Sequence, residues 1–129
     1  MIKEPHLPLI IANILPHSKQ RYDTCGDWYD ISGIRHFIVS KMKKRAYEFA
    51  VLIHEMVESE WCNENDVNVK MVDDFDIGYE GKYKDDPGSD PKAPYHEGHK
   101  LGLKAERFVI EKVFKLDWKE YEDYLMELE

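Results

Sequence analysis

The sequence predicts an α+β domain in which a small antiparallel sheet, built on an N-terminal hairpin, packs on three to four helices. Three observations predict it. "WYDISGIRHFIVS" (28–40) places turn chemistry at 30–33 and alternates apolar and polar residues through "IRHFIVS". Residues 43–62 contain no Pro or Gly and carry Ala46, Phe49, Ala50, Ile53, Val57 and Trp61 at helical spacing. Two further helical patterns follow Pro94.

At 129 residues the chain supports one domain, 1–129, with a real core. Residues 1–42 form its extended and hairpin part: Pro5, Pro8 and Pro16 interrupt the apolar run before residue 22 and favour extended structure over helix. Helix 43–62 ends at 63–66, and "DVNVKMVDDF" (66–75) predicts a short helix started by Asn65 or Asp66. Residues 76–94 hold three Gly and three Pro among many charges and predict a long loop. The C-terminal helices occupy 95–128. The first runs from about 95 to 115 with Leu103, Phe108, Ile110, Val113 and Phe114 as apolar positions, its first turns weakened by Gly98 and Gly102. In the last, Asp117 and Glu120 form a capping-box-like start, and Trp118, Tyr121, Leu125 and Leu128 form one stripe.

Composition narrows the function. Hydrophobic residues make up 43% of the chain and aromatics 12%, which is a folding composition. A net charge of −8 argues against nucleic acid as a partner, because phosphate binding needs clustered Lys and Arg; the basic run 41–45 reads as a solvated helix start. "LPLIIANIL" (7–15) is too short to span a membrane and lacks the flanks of a signal peptide, so no membrane association is expected. Cys25 and Cys62 do not make a disulfide framework, which leads to the expectation of a reducing, cytoplasmic setting.

The chemistry lies in two helices. "IHEMVESEWC" (53–62) puts His54 and Glu58 one turn apart on a mostly apolar helix, with Glu55 pointing about 100° away. After Pro94, His96, His99, Leu103, Glu106 and Ile110 fall within a sector of about 80°. Ionisable groups on enclosed helix faces are paired or bind metal. Were these helices to pack together, imidazoles and carboxylates would surround one point, a donor set for Zn²⁺ and equally for Fe or Mn. The alternative reading is a set of hydrogen-bonded core residues fastening two helices.

"HEMVE" (54–58) resembles the H-E-x-x-H helix of zincin metallopeptidases, with Glu58 in the place of the second histidine. The resemblance implies His54 and Glu58 as metal ligands, Glu55 as the general base, and a third ligand from the later helix, His99 first, then His96 and Glu106. It also implies a zincin-like element order, in which an edge strand ahead of the motif helix holds an extended peptide substrate. "PHSKQRY", "GDWYD", "HEMVE" and "PYHEGH" together are similar to small proteins of bacteriophages and prophages, which implies a location in the host cytoplasm.

Elsewhere, Arg21 in "PHSKQRYDTCGDW" reads as a residue tying down a turn-rich segment, with a carboxylate grip as the functional alternative. "DDFDIGYE" fails the spacing of a calcium loop. "GYEGKYKDDPGSDPKAPY" reads as a lid or partner-binding loop. Three function classes follow: a metal-dependent hydrolase, a non-catalytic domain with a structural His/Glu cluster, and an acidic protein that binds and inhibits a host protein.

Overall fold

The computed structural model describes residues 9–84 and 86–128. Pro5 and Pro8 of the sequence reading lie outside them. Strand β1 (Leu9–Leu15) is followed by β2 (Gly26–Ile31) and β3 (Ile34–Ser40), then helices α1 (Arg45–Glu64), α2 (Val69–Asp76), α3 (His96–Phe108) and α4 (Trp118–Leu128). The α+β class is as the sequence predicts.

The hairpin forms where expected. Ser32 and Gly33 both adopt positive φ, 51° and 76°, the backbone of a tight turn whose twist matches the paired strands. Trp28 then faces Phe37 and Ile31 faces Ile34 across the antiparallel ladder. On the other side of β3, β1 joins in parallel, from Leu9 opposite Ile34 to Leu15 opposite Ser40, so the sheet is mixed, in the order β1-β3-β2. β3 is the central strand and its last four residues are buried.

α1 follows within five residues of β3 and packs across the sheet. Its start has no side-chain cap; the Glu48 carboxylate reaches back instead and accepts from the Met42 N–H at 2.9 Å. Its end is set by Asp66, whose φ of 58° breaks the helix. The next helix begins later than the sequence reading places it. Asn68 is its cap, its side chain accepting from the Met71 N–H at 2.9 Å, because Asn65 and Asp66 are still engaged in closing α1.

The third helix departs from a regular pattern. α3 ends at Phe108 and continues as a π-helical turn, Val109–Val113, before Lys115 turns the chain at φ 55°. That wider turn changes the phase of the apolar positions: Val109 and Ile110 are buried, while Phe108, Val113 and Phe114 are exposed. α4 opens with Asp117 accepting from the Glu120 N–H at 2.8 Å, half of the capping box. Tyr121 enters the core, with Trp118, Leu125 and Leu128 packed beside it.

Gly98 and Gly102 do more than weaken a helix. A Cβ on Gly102 would lie 2.8 Å from the backbone oxygen of His54, and one on Gly98 would lie 2.8 Å from the Trp61 ring. One turn apart on α3, the two glycines remove the side chains that would hold α3 away from α1. Two clusters flank the resulting seam: Val39, Tyr47, Ala50, Val109, Ile110 and Tyr121 on one side, and Trp28, Phe37, Cys62, Val72 and Tyr95 on the other. Among the described residues, no helix is long and apolar enough to cross a membrane.

Gly102→Ala is therefore expected to destabilise the fold by about 1–3 kcal/mol, the usual cost of overpacking. The exposed neighbour Leu101→Ala should change stability by less than about 0.5 kcal/mol. Urea unfolding of both variants checks the difference.

Candidate metal centre

The close seam between α1 and α3 brings three side chains to one point. His54 Nε2 lies 3.1 Å from Glu58 Oε2 and 3.2 Å from His99 Nδ1, and Glu58 Oε2 lies 3.1 Å from His99 Nδ1. All three residues are buried, and this group could hold a metal ion.

The triangle is badly suited to hydrogen bonding alone. A ring N–H prefers a donor angle above about 150°, so a hydrogen on either nitrogen can point at one neighbour and not at both. The opposite nitrogens are engaged already: His54 Nδ1 lies 2.6 Å from Glu106 Oε1, and His99 Nε2 lies 3.0 Å from Asp86 Oδ1. Ionised carboxylates only accept, so both nitrogens donate there. In the neutral rings His54 Nε2 and His99 Nδ1 are then bare lone pairs, facing each other and the Glu58 oxygen. Three electron-rich atoms buried together need a positive charge among them, either protons or a metal cation.

Without metal, protons serve. Burial disfavours the His99 imidazolium, but the hydrogen bonds to Asp86 and Glu58 outweigh it and hold its pKa up at about 9. His54 is likewise raised well above the ordinary histidine value, burial being overcome by Glu106 and Glu58. Glu58 is the counterpart: burial opposes its charge, yet the two histidines pull it down to about 2. With metal, the spacing is apt. A tetrahedral ion with bonds of about 2.0–2.1 Å needs its donors about 3.3 Å apart.

Of the predicted site residues, His54, Glu58 and His99 meet. Glu106 stands behind His54, and its second oxygen accepts a hydrogen bond from the fully buried Tyr121 hydroxyl. It thus orients the ring in the way carboxylates orient metal-bound histidines. His96 is placed elsewhere, its Nδ1 2.9 Å from the carbonyl of Gly88, where it ties down the loop before α3. Glu55 lines the same cavity as the triad, its carboxylate against Gly26 of β2. Burial, then the charge of Glu58, push its pKa well above the usual carboxylate range. Arg21 ties down its segment, pairing with Asp27 at 2.7 Å and with Asp73 at 3.1 Å.

Three contributors were not visible as site residues. Asp86 comes from the long loop, where nothing in "DDPGSD" marks one aspartate as a partner of His99. Tyr121 reads as one more residue of an apolar stripe, although a buried tyrosine hydroxyl always demands a partner. Gly88 is the third element: a Cβ there would lie 2.6 Å from the His99 ring, so the loop lies flat on the imidazole.

The cavity bounded by these groups has a volume of about 330 Å³ and is also lined by Tyr22, Trp28, Asp76 and Tyr95. The Trp28 indole N–H points to Glu58 Oε1 at 3.5 Å. No protein-family model matches the chain, and neither does any curated protein or solved structure.

Because a metal must displace the protons that His54 and His99 hold, Zn²⁺ affinity is expected to strengthen as pH rises from the ordinary histidine value of about 6.5 through about 9. Glu106→Gln should weaken it by about 10–100-fold at fixed pH. Competition with a chromophoric chelator over that pH range measures both effects.

Proposed function

We propose that the chain is a metal-binding domain whose site resembles that of a minimal zincin metallopeptidase, and that it acts as a metal-dependent hydrolase on a peptide substrate. The observation that carries the reading is the buried triangle of His54 Nε2, Glu58 Oε2 and His99 Nδ1, whose three lone pairs converge. Two imidazoles and one carboxylate form a catalytic donor set, which leaves a coordination position open for water or substrate. Zinc is the proposed metal, since nitrogen and oxygen sites bind it more tightly than Mn²⁺ or Fe²⁺. A zinc ion there supplies Lewis acidity and lowers the pKa of water.

The remaining work falls to the chain's own groups. Glu106 and Asp86 hold the two imidazoles in the tautomers that turn a lone pair inward. Glu55, on the next residue after His54, faces the same cavity, and its raised proton affinity suits it to take a proton from water and pass it to a leaving amine. Gly26, Asp27 and Trp28 of the outer strand β2 line the cavity and offer an edge along which an extended peptide can lie.

A second reading is that the cluster only fastens the fold. The network joins α1, α3, α4 and the loop through His54, Glu106, Tyr121 and Asp86, and such a network stabilises whether or not it catalyses.

Elemental analysis of tag-free protein separates these readings. The hydrolase reading predicts close to one equivalent of metal in wild type, its loss in His54→Ala, and a lower melting temperature after chelation. Glu55→Gln should keep the metal and lose turnover of peptide substrates by about 100-fold or more. Metal-free wild-type protein whose melting temperature is unchanged by added zinc would contradict the proposal.

A further inference from the structure

The cavity beside the triad carries a strong charge asymmetry. Asp23, Asp27, Glu55, Glu58, Asp76, Asp86 and Glu106 all line it, against a single lysine, Lys84, and Asp23 is paired with His17. Most of these carboxylates are balanced. Asp27 is paired with Arg21, Glu58 and Glu106 with His54, and Asp86 with His99. Glu55 is the proposed base.

Asp76 is different. It sits at the C-terminal end of α2, partly buried, and its hydrogen-bond donors are two neutral phenols, Tyr95 and, at 3.4 Å, Tyr22. Burial first, and then the neighbouring Glu58 charge, raise its pKa to about 6, so it is ionised at neutral pH. The same cavity is lined by Tyr22, Trp28, Tyr79 and Tyr95. A cavity-wall carboxylate whose hydrogen-bond donors are phenol hydroxyls is chemistry that binds an ammonium or guanidinium group, by ion pairing with the carboxylate and hydrogen bonding to the phenol oxygens. The overall charge of −8 draws such a ligand toward the protein.

We propose that Asp76, with Tyr22 and Tyr95, forms a subsite for a cationic side chain, so that the ligand of this cavity is a basic peptide whose backbone lies toward His54, Glu58 and His99. The subsite rests on the metal reading only for the orientation of the ligand; capture of the cation itself depends on Asp76.

Two hydroxamates that differ only in the terminal amine test it: Nα-acetyl-lysine hydroxamate and Nα-acetyl-norleucine hydroxamate, titrated calorimetrically into zinc-loaded protein. The lysine compound should bind about tenfold more tightly, about 1.4 kcal/mol. Asp76→Asn, nearly isosteric, should abolish that preference and leave the norleucine compound unaffected. If Asp76→Asn fails to fold, nuclear Overhauser contacts in wild type between the ε-methylene of the bound lysine compound and the Tyr22 and Tyr95 rings decide: their presence supports the subsite and their absence overturns it. Equal affinity of the two compounds for wild type, or a preference that survives in Asp76→Asn, overturns the proposal. If neither compound binds, the metal reading has failed. The subsite is then judged on metal-free protein titrated with 1,5-diaminopentane: shifts of the Tyr22 and Tyr95 ring resonances support it, and unmoved resonances overturn it. Uptake of a second zinc equivalent that disappears in Asp76→Asn overturns it as well, since the carboxylate would then be a metal ligand.

Discussion

The contact on which the molecule depends is the close approach of α3 to α1, made where Gly102 meets the backbone oxygen of His54 and Gly98 meets the ring of Trp61. Ordinary side chains at those two positions would hold the helices apart, and His99 would then lie beyond reach of His54 and Glu58. The contact converts two unremarkable helices, each with polar groups on an apolar face, into one buried cluster. It also decides which groups meet at the triangle and which stand behind it: His99, between Gly98 and Gly102, reaches His54 and Glu58, and Glu106, one turn further on, reaches the far side of the His54 ring.

Burial then sets the electrostatics. Every ionised group in the seam loses hydration, and the structure offsets that loss by alternating sign: Asp86, His99, Glu58, His54 and Glu106 follow one another, with the Tyr121 hydroxyl closing the chain at α4. Such an alternation couples the groups, so removing any one leaves its neighbour with an uncompensated charge in a low-dielectric setting. The two histidines are accordingly raised and Glu58 lowered, and the same buried group could hold a metal ion. The ends of the alternation come from the loop and from α4: Asp86 holds His99, and Tyr121, through Glu106, holds His54 of the motif helix.

Much of this was legible in the sequence, because it is local. The i,i+4 pairing of His54 with Glu58 and the common sector of His99 and Glu106 follow from helix geometry alone. The hairpin followed from alternation around a turn, and the capping residue of α4 from its spacing. What was not legible is long-range. The parallel docking of β1 on β3 depends on a strand pairing that no local pattern encodes. Gly98 and Gly102 carry a low helix propensity, which is a local fact, while their use as a packing surface depends on what lies opposite. Asp86 follows the same rule, since a loop aspartate becomes a partner of His99 only through the path of the loop. The start of α2 at Asn68 was displaced for a related reason: residues that resemble caps in isolation were already closing α1.

The central claim is that His54, Glu58 and His99 jointly hold one metal ion. Anomalous diffraction at the zinc absorption edge from crystals of the zinc-loaded protein tests it most directly. The account predicts a single strong peak at bonding distance, about 2.0–2.2 Å, from His54 Nε2, Glu58 Oε2 and His99 Nδ1, with Glu106 and Asp86 still on the outer nitrogens of the two rings. A peak coordinated by His96 or by surface carboxylates, or no peak at the triangle, would contradict it.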